Sequence, residues 1–76
     1  MVKFELKVNH KQKTVYFNKN IVEALGYNLY AQLNATSGII YPQDAEKEDV
    51  IRSVEIILED LRHQLKLEDR EATAQE

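Results

Sequence analysis

The sequence predicts an α+β fold, with short strands confined to the first 43 residues and one amphipathic helix after them. Two observations carry this. Apolar and polar residues alternate over 3–8 and again over 28–34, the period of a strand with one covered face. Val50, Ile51, Val54, Ile57, Leu58, Leu61 and Leu65 recur at three- and four-residue steps, the period of a helix. A third observation sets the scale: 76 residues, 43% hydrophobic and 30% charged, with one proline and two glycines, make one small globular domain.

In the first expected strand, about 3–9, Phe4, Leu6 and Val8 lie on one side and Lys3, Glu5 and Lys7 on the other. Asn9-His10-Lys11-Gln12 is wholly polar and reads as a loop, without the Asn-Gly or Asp-Gly pair that fixes a tight turn. A second strand, about 14–18, follows from the β-branched and aromatic run Thr14-Val15-Tyr16-Phe17, with Val15 and Phe17 inward. A short helix is expected over about 19–25, because Asn18 can cap its first turn while Ile21, Ala24 and Leu25 fall at helical spacing. Gly26 stops it by accepting a positive φ without a Cβ clash. Strands over about 28–34 and 38–42 then flank the turn Asn34-Ala35-Thr36-Ser37-Gly38, and Pro42, which has no N–H for a sheet ladder, closes the last of them.

The amphipathic helix is expected over 44–67, with Asp44 as N-cap and Glu46, Glu48 and Asp49 at the positive end of its dipole. Glu48 is placed to pair with Arg52 one turn on. The apolar stripe is wide enough to pack on a sheet and on a second helix together. Ile56 falls outside it, beside Arg52 and Glu59. Residues 68–76 lose the pattern and read as a frayed acidic tail.

Composition excludes several classes. Without cysteine there is no disulfide and no thiolate zinc site. No apolar run exceeds three residues, so neither a membrane span nor a signal peptide is expected, and the chain reads as cytoplasmic. No Gly-rich phosphate loop is present, and His10 and His63 stand far apart. Glu59 and His63 share a helix face, but two ligands without a third make a surface ion pair the plainer reading. No enzyme activity, metal or cofactor is therefore expected. The net charge of −3 conceals a division: residues 1–44 carry +2 and the remainder −5. Only the N-terminal part offers a surface for an anionic partner.

The order of elements, and the residues in Thr14-Val15-Tyr16-Phe17-Asn18-Lys19-Asn20-Ile21-Val22-Glu23-Ala24-Leu25-Gly26, Leu29-Tyr30-Ala31-Gln32-Leu33-Asn34 and Gly38-Ile39-Ile40-Tyr41-Pro42, resemble the swapped-hairpin AbrB/SpoVT/MazE group of small dimeric transcription regulators and antitoxins. That group typically has a strand ending in Ile-Pro-Lys, a helix of the form Glu-Ile-Arg-Glu-Ala-Leu-Gly and a final hairpin. Lys19, Ile21 and Glu23-Ala24-Leu25-Gly26 match it. Asn18 replaces the usual proline, Val22 a common arginine, Lys13 a usual glycine, and Tyr27-Asn28 a longer turn. The resemblance covers residues 4–42, half the chain.

It implies an intertwined homodimer in which each chain lends a hairpin to the other's β-barrel: residues 1–43 form the half-barrel, and the helix packs on the barrel, on the partner, or between two dimers in a tetramer. Independent of the family, a chain this short hides only about 60% of its unfolded surface, which also favours association. Val54, Ile57, Leu58, Leu61 and Leu65 are the expected oligomer interface. The function implied is binding of double-stranded DNA, with Lys7, His10, Lys11, Lys13 and Lys19 as the expected DNA-binding residues. Against this, no arginine precedes Arg52 for bidentate reading of guanine, and the same lysines would serve simply to solvate a small dimer. The alternative is a protein-interaction module, antitoxin-like or adaptor, engaging a protein partner through the acidic C-terminal helix. Tyr16, Tyr27, Tyr30 and Tyr41 offer a lesser possibility, a stacking surface for single strands.

Overall fold

The computed structural model describes residues 3–74, with side chains over 3–70. It is a small α+β chain of two compact units, Met1–Asp44 and Ala45–Glu76. The first contains α1 (Lys19–Leu25), β1 (Leu29–Asn34) and β2 (Ser37–Pro42); the second is α2 (Lys47–Ala74).

Both ends of α1 close as the sequence expects. Asn18 Oδ1 accepts from the Ile21 N–H at 3.0 Å, satisfying one of the first-turn donors left without a partner in the helix. Gly26 adopts φ +82°, and its N–H donates to the Val22 carbonyl at 2.7 Å. Chain reversal then brings β2 back along β1, in a register that pairs Leu29 with Pro42, Ala31 with Ile40 and Leu33 with Gly38. Alternation puts these six residues on one wholly apolar face. Tyr30 and Tyr41 lead the other face, their rings tilted by 58° with centroids 5.8 Å apart. Gln43 fastens the open end, its backbone N–H donating to Asn28 at 3.0 Å and its side-chain amide to the Leu29 carbonyl at 3.3 Å.

Several expectations are corrected. The strands over 3–9 and 14–18 do not form; the segment makes a single antiparallel bridge between Val8 and Val15. Phe4, Leu6, Val8 and Val15 are all exposed. Alternation marks the face that can be covered, but an isolated two-stranded ribbon with nothing packed on it is marginal. The long helix does not stop at 67 but runs to Ala74, so the expected tail is helical as far as it is described. Its residues are mostly good helix formers, and no glycine or proline follows Pro42 to end the helix. Arg62, His63 and Lys66 therefore lie inside the helix, and no basic residue occupies its last turn. Asp44 sits in a turn instead of capping: the Glu46 carbonyl accepts from the Asp49 and Val50 N–H groups, both at 3.1 Å, and Arg52 pairs with Asp49 at 3.8 Å rather than with Glu48.

None of the described residues is buried in the single chain. Leu33, on the apolar face of the hairpin, is 80% exposed, while Leu58 and Leu61 on α2 are 43% and 54% exposed. The apolar stripe of α2 and the apolar face of β1–β2 are therefore largely uncovered within the single chain.

Candidate nucleic-acid interface

The expected DNA-binding residues fall into two places. Lys7 precedes the Val8 bridge, and His10, Lys11 and Lys13 occupy the turn that the bridge closes. This turn is organised by Asn9. Its Oδ1 accepts from the N–H of Lys11 at 3.0 Å and of Gln12 at 2.9 Å, an Asx-type turn that replaces the missing Asn-Gly pair. Two backbone bonds tie the stem, Asn9 N–H to Thr14 carbonyl at 2.7 Å and Lys13 N–H to Asn9 carbonyl at 2.8 Å. All of these side chains are exposed.

Lys13 has φ +60°, the left-handed region that favours glycine. A non-glycine residue there costs about 1–2 kcal/mol. Asn9 and the φ of Lys13 are the features that sequence reasoning did not find: an asparagine opening a polar loop is an Asx-turn signal, because its side-chain oxygen can accept from the backbone N–H two residues on, whereas nothing local in Lys13 announces a positive φ.

Lys19 stands apart, at the first residue of α1, with its ammonium 3.7 Å from the Glu23 carboxylate. Both groups are largely exposed, so this pair is weak and leaves Lys19 able to exchange Glu23 for another anion. Between Glu5 and Glu23 the sequence holds four lysines and no acid, which makes the turn the centre of the positive part of the chain. A depression of about 360 Å³, lined by Leu25, Gly26, Tyr27, Asn28, Gln43 and Asp44, contains a carboxylate and no cation, and so does not suit phosphate.

Tyr16 and Tyr27 are 84% and 90% exposed, whereas Tyr30 and Tyr41 are engaged with each other across the hairpin. On α2, Val54 is half-buried and Ile57, Leu58, Leu61 and Leu65 are exposed on the apolar stripe, while Ile56 is exposed outside it. Glu59 bonds to Arg62 at 2.7 Å, not to His63. Among the described residues there is no group of three or more His, Asp or Glu able to hold a metal, and no helix long and apolar enough to cross a membrane. No family model matches this chain, and no curated protein or solved structure is similar enough to lend it a fold family or a role.

Proposed function

We propose that this protein is a DNA-binding regulator of the AbrB-like type, a non-enzymatic cytoplasmic homodimer whose two chains exchange hairpins to complete a β-barrel. The observation that carries the reading is Lys13: a cation held at φ +60° in an exposed turn, where glycine would be more stable. This is the position at which the resembled group usually has glycine, so the turn geometry fits the group and the side chain adds charge. The Asn9 turn presents His10, Lys11 and Lys13 together, and two-fold symmetry would offer two such turns to one duplex. Lys7 and Lys19 extend the surface on either side in sequence. Contacts of this kind neutralise phosphates, so affinity depends on salt and little on base sequence. The open apolar face of β1–β2, and the unpaired segment before it, are what a half-barrel lacking its partner would leave uncovered.

A test is fluorescence anisotropy of labelled duplex DNA titrated with the intact chain and with a Lys11→Ala, Lys13→Ala, Lys19→Ala variant, at several salt concentrations. The wild type is expected to saturate, with affinity falling as salt rises. The variant should bind every duplex more weakly, with the salt slope shallower by about 1 for each phosphate that is no longer neutralised. Equal affinity for wild type and variant would remove the lysine surface from the reading.

The second reading, a protein-interaction module working through α2, is favoured by the uncovered stripe on that helix. Absence of DNA binding at low salt would leave it as the better account.

A further inference from the structure

Within the apolar stripe of α2, Ile51, Val54, Leu58, Leu61 and Leu65 follow one another at steps of 3, 4, 3 and 4 residues, an unbroken heptad seam. It extends about 21 Å at 1.5 Å per residue. Leu58, Leu61 and Leu65 are 43%, 54% and 57% exposed, so the seam is open in the single chain. Val50, Ile57 and Gln64 border it on one side, Glu55 and Arg62 on the other.

We propose that α2 pairs with α2 of a second copy of this chain, antiparallel, through this seam. The bordering charges select both the occupant and the direction. In an antiparallel pair that sets Leu58 against Leu61 and Val54 against Leu65, with Ile51 beyond these layers opposite Glu68 at each end of the contact, the side carrying Glu55 and Arg62 faces the same side of the other helix. Glu55 then meets Arg62 of the partner subunit, and symmetry repeats the pair. In a parallel pair the charged border faces the opposite border instead, so Glu55 meets Val50 and Arg62 meets Ile57, with no ion pair and two charges against apolar groups. Arg62 bonds to Glu59 of its own helix at 2.7 Å, but this bond is solvent-exposed and leaves the remaining guanidinium donors for a second carboxylate. The pairing is independent of DNA binding, and of whether the hairpins are exchanged. It adds one association step to whatever the N-terminal unit does.

The test uses charge reversal at the two border positions in the full chain, with mass measured by sedimentation equilibrium. Glu55→Arg alone sets like charges against each other twice, and so does Arg62→Glu alone; each is expected to weaken the association step roughly tenfold. Mixing equal amounts of the two single variants should restore it. In the mixed pair one helix carries arginine at both border positions and the other carries glutamate at both, so every facing pair has opposite charges. The double variant E55R/R62E should also associate like the wild type. Circular dichroism separates this from loss of the helix, since both substitutions exchange good helix formers at exposed positions. A monomeric wild type, wild-type association in both single variants, or no recovery on mixing would overturn the pairing.

Discussion

The two chain reversals of the N-terminal unit have opposite designs. At Asn9–Thr14 a four-residue turn is closed by one bridge, and its residues are polar and exposed, Lys11 and Lys13 among them cationic. At Asn34–Ser37 a two-residue turn is followed by six paired positions, with an apolar face and a tyrosine pair. Both turns use a non-glycine residue at positive φ, Lys13 at +60° and Ala35 at +33°, so backbone strain does not separate them. The extent of pairing does. The first stem pairs only Val8 with Val15, and Leu6, Lys7, Tyr16 and Phe17 beyond it lie outside any ladder, while the second pairs six positions, among them Ala31 with Ile40 and Tyr30 with Tyr41. A strand forms where the same hairpin supplies partners at successive positions, as in β1–β2, and a single bridge does not extend into one.

The largest change to this contrast is expected from Gly38→Ala. A Cβ at Gly38 would collide with the Leu33 side chain opposite and lie 2.6 Å from the Gln32 carbonyl oxygen, so the strand must move. The overpacking cost is about 1–3 kcal/mol, and because the carbonyl is backbone it cannot be relieved by rotating a side chain. Urea unfolding at fixed chain concentration measures it. Unchanged stability would mean that the tight register at Leu33 and Gly38 is not maintained in solution.

Lys13→Gly probes the other turn and separates folding from function. Relief of the positive φ is expected to stabilise the turn by about 1 kcal/mol, while loss of the ammonium weakens DNA binding. The two effects have opposite signs, so a single variant measured by urea unfolding and by DNA anisotropy distinguishes a cation kept for binding from one kept for structure. Higher stability with full DNA affinity would leave Lys13 without the proposed role.

These differences explain what could be read in advance. The caps of α1 were legible because they are local: Asn18 needs only the N–H of Ile21, and Gly26 only its own φ. The β1–β2 hairpin was legible to within a residue at each boundary, since alternation, a turn-rich stretch and Pro42 coincide. The stripe of α2 was legible but its end was not, because periodicity reports the covered face and says nothing of a helix continuing beyond it. The N-terminal strands failed for a different reason. Phe4, Leu6 and Val8 show which side seeks cover, but alternation does not say what would supply it. In the candidate interface the residue types were legible and the geometry was not: the Asx turn at Asn9 and the φ of Lys13 depend on how four polar residues close a loop.

The smallest expected effect lies at the second turn. Ala35 holds φ +33° between strands that are otherwise well paired, and a two-residue hairpin turn prefers glycine where φ is positive at its first central position. Ala35→Gly is therefore expected to raise stability, but by only about 0.5–1 kcal/mol, because glycine also gains freedom in the unfolded chain and returns part of the relief as entropy. Thermal unfolding of the intact chain, at the same concentration as the wild type, reads this as a rise of a few degrees. The comparison with Lys13→Gly is the informative part. If both substitutions stabilise similarly, the two turns store similar strain, and what distinguishes them is the pairing behind each and the charge on one. If Ala35→Gly destabilises instead, the tight turn depends on the alanine to restrict the unfolded chain, and the contrast between the hairpins begins at the turn rather than in the strands.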